Sequence, residues 1–250
     1  MQSDAVGPSG LLKPGEQVRQ PMTQKEIDDV IRAYGEAAAS AERLGCDGLE
    51  IHGAHGYLID QFFWECLNRR TDQYGGDLIR RTRFAVEVIQ EIRRRVSRDF
   101  PICLRFSQWK LHDHDAKLAH TPKELEFFLD PLSAAGVDFF HCSQRRFWEP
   151  EFEGSPLNLA GWTKKLTGKP TITVGSVTLN QEFTSMLSAK SDKALVTGLD
   201  DLLERMERDE FDLVAIGRAL IVNPNWPTIV QRGALNELLP FQRDALQELA

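Results

Sequence analysis

Five short runs set what this chain can fold into: Asp47–His52, Ile102–Phe106, Val137–Cys142, Pro170–Val174 and Phe211–Ile216, about 30 to 55 residues apart. Each reads as a buried strand. Between them the apolar residues switch to helical spacing. Thr23-Gln24-Lys25-Glu26 has the capping-box pattern and predicts a helix to about Leu44, with Ile27, Val30, Ile31, Tyr34 and Ala38 on one stripe and Gly45 beyond its end. Further helices are predicted near Leu58–Cys66, from Asp77 through Phe84, Val88, Ile92 and Val96, from Thr121-Pro122, near Asn158–Leu166, and near 179–188 and 199–208. Strand and helix in alternation build a parallel sheet covered by helices. Residues 1–22, broken by Gly7, Pro8, Gly10, Pro14, Gly15 and Pro21, predict a loop. Residues 23–240 hold the sheet and its helices, and 241–250 read as a tail.

Composition removes several classes of function. The 30 Lys+Arg against 37 Asp+Glu give a net charge of −7, the wrong sign for a nucleic-acid partner. Hydrophobic residues make up 42 %, enough for a large core and too many for a disordered chain. No run approaches the roughly 18 apolar residues of a membrane span. No signal peptide is visible at Met1–Gly10, so a cytoplasmic protein is expected. Cys46, Cys66, Cys103 and Cys142 form no Cys-x-x-Cys pair and read as reduced thiols. The arginines at 80, 81, 93, 94 and 95 read as the solvated face of a helix.

The residues with chemical reach fall at the carboxyl ends of the strands, the face on which a (β/α) barrel builds its active site. His52 and His55 stand three apart where the first strand gives way to a loop. Two neutral imidazoles there can donate to one carbonyl or nitro oxygen. A metal is not expected, because no further Cys, Asp or Glu cluster lies at ligand spacing. Tyr57 is either a core aromatic or a proton donor, since a tyrosine keeps its proton at neutral pH. Gly175-Ser176 and Gly217-Arg218 end the last two strands, where a barrel commonly holds a phosphate on uncovered backbone N–H groups. Arg105 lies inside an apolar strand and needs either an ion pair or a bound anion. No Gly-x-Gly-x-x-Gly follows a strand, so a separate dinucleotide-binding domain is not indicated.

Longer matches add to this reading. The run Gly45–Phe62 (GCDGLEIHGAHGYLIDQF) continues through Asn68–Gly76 (NRRTDQYGG) and Arg81-Thr82-Arg83-Phe84. A second run is Asp212–Arg218 (DLVAIGR) with Asn223-Pro224. With these the chain resembles the Old Yellow Enzyme family of flavin-dependent NAD(P)H oxidoreductases, (β/α)8 barrels that hold FMN. The resemblance implies that His52 and His55 bind the oxygen of the substrate's electron-withdrawing group and the nicotinamide. It implies that Tyr57 donates a proton to the alkene carbon, and that Arg105 stands at the flavin's pyrimidine edge. Gly175, Ser176, Gly217 and Arg218 match the FMN phosphate site. The implied reaction is reduction of an activated alkene by NAD(P)H through FMN.

The chain departs from the family in three places. Trp64-Glu65 replaces a frequent Ser-Pro, which is expected to reshape the pocket wall, and Arg80 stands where Asn is frequent. Three βα units that precede the Asp47 strand in the family have no counterpart. Pro21-Met22-Thr23-Gln24 resembles a flavin-contacting strand end but is read as the start of a helix. The expectation is an incomplete barrel of about five strands with two open edges, through which it either self-associates or pairs with another polypeptide. A second reading is a non-catalytic remnant acting as an interaction module. A barrel enzyme for a phosphorylated substrate without flavin is a third.

Overall fold

The computed structural model describes residues 7–181 and 193–247. The first helix shows why the sequence signals held. Thr23 accepts from the Glu26 N–H while Glu26 reaches back to the Thr23 N–H at 2.8 Å, and α1 (Gln24–Arg43) begins there. Pro21-Met22-Thr23-Gln24 therefore belongs to a helix start. Before it, the expected loop contains a small antiparallel hairpin, β1 (Leu11–Lys13) with β2 (Glu16–Gln17), turning at Gly15. The hydrophobic alternation is too short there to be read as strands.

The sheet has five parallel strands in the order β3 (Leu49–His55), β4 (Ile102–Lys110), β5 (Phe139–Ser143), β6 (Thr171–Val174) and β8 (Leu213–Ala215). Each strand neighbours the one before it along the chain, as in a barrel wall. The outermost strands, β3 and β8, are edges. Between β6 and β8 the chain makes β7 (Lys193–Ala194), which leaves the sheet and pairs antiparallel with β9 (Phe241–Gln242). The expected tail is thus docked, with Phe241 buried.

Register alternation divides the sheet into two unlike faces. Ile51 of β3 pairs with Leu104 of β4, and both point to the helices together with Phe106 of β4 and Phe140 of β5. They meet Phe63 of α2 (Leu58–Phe63), Val88 and Ile89 of α4 (Arg83–Arg95), and Phe128 and Leu132 of α5 (Pro122–Ala135), all at 0 % exposure. Burial of such side chains stabilises the fold by about 1.5–3 kcal/mol each. The opposite, concave face carries Glu50, His52, Cys103, Arg105, His141, Ser143 and, toward the far edge, Leu213, which is 55 % exposed.

Several expectations are corrected. The helix from Asp77 is two pieces, α3 (Leu78–Arg81) and α4, because Thr82 Oγ1 donates to the Ile79 carbonyl and its own N–H bonds three residues back. The arginine cluster is not simply solvated. Arg81 is 8 % exposed and donates to the carbonyls of Phe63 and Gly76, while Arg93 ties Gly136 and Asp138 to α4. Strand β4 runs four residues past Phe106, where the expected strand ends. The helix α6 (Leu159–Thr167) and α7 (Asp200–Glu207) lie where expected. In the expected helix 179–188, Leu179 instead bridges to Val196, and 182–188 fall outside the described residues. No helix among the described residues is long and apolar enough to cross a membrane.

Candidate functional site

The carboxyl ends of the five strands open on one cavity of about 490 Å³. That volume suits a small ligand or cofactor. All eight residues singled out from the sequence line it: His52, His55, Tyr57, Arg105, Gly175, Ser176, Gly217 and Arg218. They come from β3, β4 and the ends of β6 and β8, so the parallel sheet is what gathers them.

His52 is the last regular inward residue of β3. The chain then turns through two left-handed residues, His55 at φ 62° and Gly56 at φ 85°. This turn swings the second imidazole back beside the first, with ring centroids 5.5 Å apart and planes at 71°. The Tyr57 ring lies 5.2 Å from His52, and Tyr57 is 54 % exposed. The His55 ring stacks on Trp109 at 4.3 Å, and its Nε2 is 2.8 Å from Ser143 Oγ. Burial, then the positive charges of Arg105, His52, Lys110 and His141, push the His55 imidazole down to about 3. Burial and Arg105 push His52 the same way, against the opposing charge of Glu50. Both rings are neutral at pH 7, the state in which each offers one N–H donor and one acceptor.

Arg105 donates from Nη2 to Ser143 Oγ at 3.2 Å. Its Nε is buried and has no partner among the described residues. An unpaired buried guanidinium N–H is costly, so this position suits a ligand acceptor. Deeper on the same face, the Glu50 carboxylate receives His141 Nδ1 at 2.7 Å. Burial would raise Glu50, but the His141 contact and the charges of His141 and Arg105 hold it below the usual carboxylate range.

The other end of the cavity is built by backbone. At Gly175 φ is 137°, and a Cβ would meet the Gln144 carbonyl oxygen at 2.8 Å. Glycine is required there because the loop after β5 packs directly on it, with the Phe147 N–H donating to the Gly175 carbonyl at 3.1 Å. The Ser176 hydroxyl lies between the carbonyl oxygens of Arg145 and Gln181, at 3.1 and 3.0 Å. Among the described residues nothing lies within 4 Å of a Cβ built on Gly217. Arg218 donates to the Gln181 carbonyl at 2.5 Å and sits over the Phe241 ring. A guanidinium-rimmed cavity with glycines at two strand ends fits a planar ligand bearing a phosphate.

Trp109, Ser143 and Gln144 also line the cavity and were missed; Arg145, which opens a loop rich in aromatic and charged residues, lines it as well. Ser143 ends β5, and the rule that chemistry sits at strand ends would have found it. Trp109 lies beyond Phe106, where the expected strand ends, so nothing placed it in a strand. Trp64, expected on the pocket wall, is 6 % exposed in the core and does not line the cavity.

The profile of the NADH:flavin oxidoreductase / NADH oxidase family matches residues 2–237. An NADH oxidase of Thermoanaerobacter brockii is 36 % identical over 225 residues, covering 87 % of this chain and 31 % of that protein. A cinnamate reductase of Clostridium sporogenes is 48 % identical over 107 residues, 41 % of this chain and 16 % of that protein. A solved morphinone reductase variant in complex with tetrahydroNAD superposes with a TM-score of 0.71 at 22 % identity, over 97 % of this chain and 62 % of that one. The fold is therefore part of a (β/α) barrel like that of the solved enzyme, and this chain spans about a third of the length of the Thermoanaerobacter protein. The chain belongs to the NADH:flavin oxidoreductase / NADH oxidase family, that of Old Yellow Enzyme, whose cofactor is FMN and whose reductant is a nicotinamide.

Proposed function

We propose that this chain carries the substrate-binding and phosphate-binding parts of an FMN-dependent NAD(P)H oxidoreductase that reduces activated alkenes such as enones and nitro compounds. One observation supports this above the rest: eight residues chosen from distant parts of the sequence line a single cavity. When bound there, FMN supplies hydride chemistry. The residues do the remainder. His52 and His55, neutral and side by side, donate to the oxygen of the substrate's electron-withdrawing group and draw charge from the alkene. Tyr57, on the solvent side of His52, holds the proton that the alkene carbon receives. Arg105, with its unpartnered Nε, takes the pyrimidine edge of the cofactor. Gly175, Ser176, Gly217 and Arg218 take the phosphate. In this reading Ser176 contributes backbone, since its hydroxyl faces two carbonyl oxygens.

Titration of the purified chain with FMN, followed by flavin fluorescence and the visible spectrum, tests the reading. Saturable binding that Arg105→Leu and Arg218→Leu both weaken is the expected result; absence of binding would overturn it. The second reading, a non-catalytic interaction module, draws on the open concave face, where Leu213 stands exposed on the edge strand. Edge strands with unpaired backbone groups associate, and self-association through β3 and β8 accompanies either reading. Sedimentation velocity checks it: a monomer at all concentrations would count against it.

A further inference from the structure

Lys110 and Asp60 form an ion pair of 2.7 Å with side-chain exposures of 1 % and 0 %. Neither is used by the chemistry above. Asp60 stands in the first turn of α2, and its second carboxylate oxygen accepts the Gly56 N–H at 2.6 Å. Lys110, at the end of β4, also donates to the Ser107 carbonyl at 3.1 Å. The Ser107 hydroxyl accepts the His55 N–H at 2.9 Å, and Gln61 donates to the Gly56 carbonyl at 2.9 Å. Three backbone groups of the turn are thus held by side chains. The β3–β4 register shifts at the same place, leaving His55 opposite Lys110.

This turn is the one that adopts two left-handed residues, one of them the non-glycine His55. Such a conformation persists where its surroundings over-determine it. Burying two charges is costly, and a well-packed apolar pair would hold helix and strand together as firmly. An apolar pair would not accept the Gly56 N–H. We propose that Asp60, its buried charge balanced by Lys110, is a positioning residue that locks the His55–Gly56–Tyr57 turn, so fixing where the second imidazole and the proton donor stand over the cavity. The roles of His55 and Tyr57 in this statement rest on the function proposed above; the lock itself does not.

The test uses the 250-residue chain with three substitutions. Asp60→Leu removes the acceptor for Gly56. Asp60→Asn with Lys110→Met removes both charges and keeps an acceptor oxygen. In Asp60→Leu, amide exchange at Gly56 and His55 should rise about tenfold or more relative to Leu104 in the core, and the neutral pair should restore it to within about threefold of the parent. Unchanged protection in Asp60→Leu, or exchange in the neutral pair as fast as in Asp60→Leu, overturns the lock. Should Asp60→Leu not fold, the parent decides: a scalar coupling across the hydrogen bond from the Gly56 nitrogen to the Asp60 carboxyl carbon supports the lock, and its absence overturns it. In flavin-loaded protein, the neutral pair should retain alkene reduction and Asp60→Leu should lose about tenfold in kcat with FMN affinity unchanged. If the loaded parent reduces no alkene, the functional reading fails while the exchange result still decides the lock.

Discussion

Acid should weaken this fold through His55 in a way a single substitution can isolate. The ring is pushed down to about 3 by burial and by surrounding positive charge. In the unfolded chain it titrates near 6.5, so below that value the unfolded state takes up a proton that the folded state refuses. Stability is therefore complete above pH 6.5 and falls as the pH drops toward 3. Each unit within that window withdraws up to about 1.4 kcal/mol, or about 2.7 kcal/mol between pH 6.5 and 4.5. The ring is part-exposed beside an open cavity, and screening reduces this by about half, to roughly 1.4 kcal/mol. The assay is urea unfolding of the parent and of His55→Asn at pH 7 and pH 4.5. Other titrating groups are common to both proteins and cancel. The parent should lose about 1.4 kcal/mol more than the variant over that interval. Equal losses would show that the ring protonates without penalty, and the account of a neutral imidazole pair would fall.

Three further outcomes follow from the geometry. Tyr57→Phe should slow alkene reduction by about 10²–10⁴-fold in stopped-flow while leaving reduction of the flavin by NAD(P)H within about twofold; equal slowing of both would remove the proton-donor role. Gly175→Ala should destabilise the fold by about 2–4 kcal/mol and weaken FMN binding, because its Cβ must enter the Gln144–Arg146 backbone; an unchanged melting temperature would contradict that packing. Phe128→Ala, at a fully buried junction of α5 with Phe63 and Phe106, should cost about 3–5 kcal/mol in urea unfolding with the residual folded protein still binding FMN.

The sheet was legible because strand ends announce themselves. At His52, Gly175 and Gly217 an apolar run stops at a residue that either bears a functional group or leaves backbone uncovered, and the parallel topology brings all such ends to one face. The side chains that hold the site were not legible. Neither Asp60 nor Lys110 stands out in the sequence, since nothing local says that a helix first turn and a strand end meet. Ser107 and Gln108 lie in a polar stretch, yet β4 continues through it because their side chains are consumed by the His55 N–H and by the Leu118 and Ala119 backbone. Arg81 and Arg93 belonged to a run of charge, and only the packed helices reveal which carbonyls they reach. The turn at His55 depends on a register shift between β3 and β4, a tertiary property with no signature in the residues that undergo it.

The unlike faces of the sheet have a consequence for how this chain tolerates change. Along β4, Ile102, Leu104 and Phe106 press on helices, while Cys103 and Arg105 look into the concavity. A saturation library scored by cellular abundance should therefore show a period of two along this strand, intolerant at the first three positions and permissive at Arg105. Scored instead by turnover, the Arg105 position should become the least permissive. Selection for persistence and selection for chemistry would read alternate letters of the same strand, so drift at one set leaves the other free to specialise.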